Sequence, residues 1–239
     1  MEKKIIGIIF TSSIIAILIL QITFWPKDEN QITTSSTLIL DESISLPEPS
    51  YESNFSLEEA LLKRRSTREY SGEPLTLDEI SQILWAAQGI THEKRLRTAP
   101  SAGGLYPLEL YVVVGDVEGI ETGIYRYIPN ENILLKIVDG DKRSNITDAA
   151  LGQEWVENAA INIVITAIYE RTTVKYGDRG IRYAHIEVGH TAQNICLQAT
   201  ALNLGVVTVG AFHDDKVIHI LNLSQDEKPV YIISIGKIS

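Results

Sequence analysis

The chain has 239 residues, 44% of them hydrophobic, and a formal net charge of −10, which fits one globular domain with a segment to spare. That acidity argues against a nucleic-acid partner, because phosphate binding needs a basic patch. A single cysteine, Cys196, excludes an intramolecular disulfide framework and any C-x-x-C site; in its apolar, helix-like run it reads as a small buried hydrophobe.

From the N-terminus, Ile5 to Trp25 is a charge-free run of roughly twenty residues, long enough to cross a bilayer. Lys3 and Lys4 precede it and Pro26 ends it. The lysines place the N-terminus inside, so residues 1–25 predict a single membrane anchor with the domain on the extracytoplasmic side. A cleaved signal peptide with export is the alternative, although the run exceeds a usual apolar signal core and shows no clean A-x-A site. Residues 26–50 are polar, rich in Ser, Thr, Glu and Pro and without periodicity, and read as a flexible linker.

The folded domain is expected over 51–239. Ser56 with Glu59, and Thr76 with Glu79, are capping-box pairs that open two helices. In the second, Leu77, Ile80, Ile83, Leu84 and Ala87 share one face and Gly89 is placed to end it. "LELYVVV" is a buried strand candidate, "GIYRYI" and "ILLKIV" pair as a hairpin, and "INIVITAIY" is another strand. A long helix from Tyr183 to Leu204, apolar around most of its circumference, is expected at the centre. A strand "VVTVG", a short helix "HDDKVIHIL" and a strand "VYIISIG" complete an α+β or three-layer α/β/α class.

Four stretches can carry chemistry. In "LKRRSTREY", Arg64, Arg65 and Arg68 crowd a helix end; they complement the helix dipole, or Arg64 and Arg68 with Ser66 fork a phosphate dianion. In "TAPSAGGLYPLELYVVV", Gly103 and Gly104 either make a tight turn or present bare backbone to a flat ligand. Lys175 and Tyr176, in an expected loop, are a titratable pair suited to proton transfer or a solvated surface. On the long helix, Glu187, His190, Asn194 and Gln198 form a polar stripe that faces another subunit, a polar network or a ligand, a satisfied interior network being the default. His185 and His190, five apart and so about 140° round the helix, cannot form a zinc-protease pair. No dinucleotide-binding glycine fingerprint, phosphate-binding loop or nucleophile elbow is present.

Taken in order, "RRSTREY", "PSAGGLYPLELYVVV", "YERTTVKYGDRGIRYAHIEVGHTAQN" and "LQATALNLGVVTVGAF" resemble the nitroreductase superfamily, and within it the SagB-type thiazoline/oxazoline dehydrogenase branch. The resemblance covers Phe55 to Lys237. It implies an FMN-dependent homodimer with a central, mostly antiparallel sheet. Arg64, Ser66 and Arg68 match the phosphate- and ribityl-binding start; Ser101, Gly103 and Gly104 match the loop beside the isoalloxazine ring. Gly210, Ala211 and Phe212 match the loop on its other flank, and Lys237 the late phosphate contact. Val174-Lys175-Tyr176 stands where the azoline dehydrogenases carry their proton-abstracting Leu-Lys-Tyr. The expected substrate is a modified peptide or small molecule with an azoline-like ring. A general NAD(P)H-dependent nitro- or quinone reductase and a non-enzymatic flavin-binding membrane sensor or partner protein are the alternatives. Only two residues follow Lys237, so a short C-terminal embrace of the partner subunit is expected.

Overall fold

The computed structural model describes residues 43–239. The expected membrane span and the linker up to residue 42 lie outside the described residues; among those described, no helix is long and apolar enough to cross a membrane.

Seven strands form one sheet: β1 (Ser43–Ser45), β2 (Leu108–Val114), β3 (Gly123–Ile128), β4 (Ile133–Asp139), β5 (Ile161–Ile168), β6 (Leu204–Val209) and β7 (Glu227–Lys237). Their spatial order is β1-β4-β3-β2-β5-β7-β6, and every neighbouring pair is antiparallel. The helices are α1 (Leu57–Lys63), α2 (Leu77–Gln88), α3 (Arg143–Ala149), α4 (Glu154–Asn158), α5 (Glu170–Tyr176), α6 (Arg179–Ala201) and α7 (Asp214–Leu221).

Successive strand residues face opposite sides of the sheet, and here both sides are apolar. Leu110, Val112 and Val114 of β2 and Ile161, Ile163 and Ile165 of β5 pack with Ile80, Ile83 and Leu84 of α2 and Val188, Ala192 and Ile195 of α6. Tyr111 and Val113 of β2 and Val164 of β5 face the other way, onto Ile146 of α3, Val156 of α4 and Val217 and Leu221 of α7. Three layers, helix on sheet on helix, follow from that two-sided burial.

The helix ends show why the chain folds locally as it does. At α2 both halves of the capping box form: Thr76 Oγ1 accepts from the Glu79 N–H, and Glu79 Oε2 accepts from the Thr76 N–H. At α1 only the first half forms. Ser56 accepts from the Glu59 N–H, while the Glu59 carboxylate turns to Lys63 at 2.6 Å. Gly89 ends α2 in an extended conformation, and a Cβ there would lie 2.2 Å from the Trp85 ring; close approach makes this position glycine.

Two expectations are corrected. Ser43 to Ser50 is not linker: β1 pairs with β4, the Leu46 N–H donates to Asn132 O, and the Ser50 N–H donates to Gln82 Oε1. Long-range pairing, absent from local composition, sets that boundary. The long helix α6 is also not apolar around most of its circumference; it has one buried face. Ala184, Glu187, Val188, Thr191, Ile195 and Ala199 are buried, whereas Arg182, His185, Ile186, Gly189, His190 and Gln193 are exposed.

Candidate functional site

The Gly-Gly stretch folds as a short 3-10 turn, Ala102–Gly104, just before β2. Gly103 and Gly104 both sit at φ +65°, in the left-handed region that other residues enter only at a cost of about 1–2 kcal/mol. Beside Gly104 the space is open, since a Cβ there would meet nothing within 4 Å. Beside Gly103 it is filled by the titratable pair: a Cβ would lie 2.6 Å from Tyr176 Oη and 2.8 Å from Lys175 Nζ.

That juxtaposition is built by α5. Lys175 and Tyr176 occupy its last turn rather than the expected loop, and Gly177 at φ +58° stops the helix immediately after them. Two residues later α6 begins, so tightly against α5 that a Cβ on Gly180 would lie 2.7 Å from the Thr172 backbone. The buried Thr172 hydroxyl donates toward Tyr169 O and Gly180 O. One turn upstream of Lys175, Arg171 Nη1 donates to Tyr106 O at 3.0 Å and Nη2 to Glu109 Oε1 at 2.6 Å. The Tyr106 N–H in turn donates to Ser101 Oγ at 2.9 Å. Arg171 therefore clamps the helix to the loop that carries the glycines. Tyr176 also stands edge-on to Tyr183 of α6, with ring centroids 5.2 Å apart.

A second part of the site lies over β6. Arg64, the C-cap of α1, and Ser66, bridged to Val206, line a cleft of about 200 Å³ with Gly189, Gln193, Cys196 and Tyr231. Among the described residues the Arg64 side chain makes no ion pair or hydrogen bond, so its guanidinium is available to an anion. Burial pushes the Cys196 thiol up to about 11, which keeps it protonated and inert, as expected of a buried cysteine.

The remaining expected residues spread out. Arg68 does not join Arg64; its guanidinium lies over the Trp155 ring at 5.1 Å. Lys237 Nζ sits 2.5 Å from Glu79 Oε1, at the cap of α2, and does not line the cleft. Gly210, Ala211 and Phe212 follow β6, with Ala211 O accepting from Gln153 Nε2 at 3.1 Å and Phe212 packed on the second core. A cavity of about 620 Å³ between residues 48–57, α2 and α6 contains none of the expected site residues.

Three participants escaped the sequence reading. Gly189 leaves a bare patch of α6 in the cleft, and an isolated glycine inside a helix was its signal. Arg171 had none, because its partners lie more than sixty residues away. Glu187 was marked only as one of a stripe, and the structure divides that stripe. Asn194 donates to Ala86 O, Gln198 accepts from Gln82, and His190 is exposed. Glu187 is 1% exposed with both carboxyl oxygens unpartnered.

Comparison with known proteins accounts for the fold. Residues 61–237 match the Nitroreductase family. A Methanocaldococcus jannaschii protein bearing a nitroreductase name is 50% identical over 181 residues, which is 76% of this chain and 90% of that protein. The microcin B17-processing protein McbC of Escherichia coli is 28% identical over 134 residues, 54% of this chain and 49% of its own length. This chain thus spans about half of that peptide-processing relative. Among solved structures, a Ralstonia eutropha protein of nitroreductase name superposes with a TM-score of 0.74 at 30% identity, over 83% of this chain and 90% of that one. One from Anabaena variabilis superposes with a TM-score of 0.73 at 37% identity, over 82% of this chain but only 42% of that one. With the sheet, the helices and three quarters of the sequence all accounted for by one lineage, the protein belongs to the nitroreductase family of oxidoreductases.

Proposed function

We propose that the protein is an FMN-dependent dehydrogenase that oxidises an azoline-like ring in a modified peptide or related small substrate, with Lys175 and Tyr176 as its proton-transfer groups. The observation that carries this reading is the meeting of both side-chain tips at Gly103. A solvated surface pair has no reason to converge on a glycine whose backbone needs the left-handed region.

The residues fit a flavin. Its phosphate is a dianion, for which the unpaired Arg64 guanidinium and the Ser66 hydroxyl in one cleft are suitable donors. Its ring system is flat and apolar, and Gly104 and Gly189 leave bare backbone with nothing within 4 Å. Bound FMN supplies a two-electron acceptor for hydride from the substrate carbon. The chain supplies the rest. Tyr176 and Lys175 take the ring proton, Gly103 keeps the space in which their polar tips sit, and Arg171 holds the helix that presents them. The E. coli relative named for processing microcin B17 supports a peptide substrate.

In the same reading a second copy covers the apolar surface of Leu57, Leu61, Leu62 and Ile186, each at least half exposed, and residues 1–25 anchor the domain to a membrane from its extracytoplasmic side.

The test is an azoline-containing peptide offered to the purified chain and to its Lys175→Ala and Tyr176→Phe variants. Loss of one proton-transfer group is expected to slow aromatisation by about 10²–10⁴-fold, with the flavin spectrum unchanged. The archaeal relative's nitroreductase name favours a second reading, a general NAD(P)H-dependent reductase. That reading gains if NAD(P)H reduces the flavin rapidly and equally in wild type and Lys175→Ala, while the peptide is left untouched.

A further inference from the structure

Glu187 is the one carboxyl among the described residues whose two oxygens are both buried without a hydrogen bond. An isolated buried carboxylate is costly unless something satisfies it, and the bonds its neighbours make run to other groups. Gln88 Nε2 donates to Thr191 Oγ1 at 2.7 Å, Gln88 Oε1 accepts from Arg97 Nη1 at 2.9 Å, and Ser101 Oγ accepts from the Tyr106 N–H. Ser101 and Gln88 are near enough to influence the carboxyl, yet neither meets it in hydrogen-bond geometry.

Glu187 is among the residues that line a cavity of about 240 Å³, with Ser101, Ala102, Tyr183, Ile186 and His190, several times the roughly 30 Å³ that one water occupies in the liquid; its carboxyl oxygens lie just beneath that surface. Two walls of that cavity belong to the site already described. Ser101 and Ala102 open the turn that carries Gly103, and Tyr183 is the ring packed edge-on to Tyr176.

We propose that this cavity is a binding subsite in which Glu187 accepts a hydrogen bond from an N–H of the reactant, such as a peptide amide beside the reacting ring, and so orients that ring toward Lys175 and Tyr176. The assignment rests on placing the reaction at those two residues. Its recognition chemistry is independent of them: above about pH 7, where the carboxyl is ionised, an acceptor-only anion beside a small cavity selects donors and rejects other acceptors.

The experiment reads the carboxyl directly and needs no turnover. The purified full chain, labelled with ¹³C at its glutamate carboxyls, is titrated at about pH 8, where the carboxyl is ionised, with acetamide and with methylammonium as donor probes and with acetate as an acceptor-only control; a Glu187→Gln spectrum assigns the resonance. Saturable movement of the Glu187 resonance is expected with the two donors and none with acetate. Methylammonium affinity is expected to fall at least about tenfold in Glu187→Gln, where the charge is gone. A resonance indifferent to all three probes, or moved equally by acetate, overturns the proposal. So does one that follows protein concentration instead, because the carboxyl then belongs to an interface with a second copy. Inactivity of the chain toward azoline peptides, by contrast, would remove the proposed reaction and leave this titration unaffected.

Discussion

Burial holds the Glu187 carboxyl up to about 7, against an ordinary value of 4.5, while Arg97 pulls the other way. Between those two values the folded chain keeps a proton that the unfolded chain has lost. Stability contributed by this group is therefore full below the lower value, declines as pH rises through the window, and is gone above it. A gap of that size corresponds to at most about 3 kcal/mol. Around the carboxyl stand Arg97 from the loop after α2, Gln88 from α2, Ser101 from the glycine turn and His190 from α6 itself. Glu187→Gln has no charge to bury, so it is expected to be more stable than wild type by about 1–3 kcal/mol at about pH 8, and to lose that advantage near about pH 5. Urea unfolding at the two pH values checks this; an unchanged difference between the chains at both would show that the carboxyl does not titrate in this window.

At the scale of elements, α5 is the piece whose placement matters most to the proposed chemistry, and Arg171 is what fixes its angle. The side chain reaches a backbone carbonyl and a largely buried carboxylate at once, and Glu109 also receives Arg126 at 2.9 Å. Arg171→Ala leaves Glu109 paired while freeing the helix from the glycine turn. It is expected to lower kcat about tenfold or more, since small displacements of reacting groups are costly, with flavin content and KM held. Flavin lost in proportion to kcat would point instead to a general loosening of the fold.

Much of this layer was legible in the sequence. The strands declared themselves by β-branched runs, as in "LELYVVV" and "INIVITAIY", and the hairpin of β3 and β4 by adjacency. The Thr76–Glu79 box appeared as read, because both partners lie within four residues. The failures share a cause. β1 is three residues, Ser-Ile-Ser, made a strand by β4 some ninety positions later. Lys175 and Tyr176 are helical although the α5 segment "ERTTVKY" has no apolar stripe to announce it, and α6 packs closely against it at Gly180. Arg68 stands over Trp155 and Lys237 beside Glu79, contacts that no spacing encodes.

For the whole molecule, the N-terminal stretch of the described fold does unexpected duty. Besides β1, it contributes Leu46, 8% exposed, and carbonyls of Leu46 and Pro47 that accept from Asn132 and, at 2.5 Å for Pro47, from Ser81. A chain beginning at Tyr51, the boundary suggested by composition, lacks all of these. It is expected to be about 2–4 kcal/mol less stable than one beginning at Ser43 and to associate with itself as concentration rises. Denaturant unfolding and light scattering on the two chains give the comparison, and identical behaviour would mean that the strap is ornamental.

The same strap has a counterpart across the sheet. β1, three residues long, is itself the outer strand beyond β4, and at the opposite margin Ser66 bridges Val206 of β6, where the Thr67 N–H donates to Val206 O at 2.9 Å. Exposed strand borders are where proteins recruit one another into fibrils; a very short edge strand on one side and a bridged one on the other are two ways of blunting that recruitment.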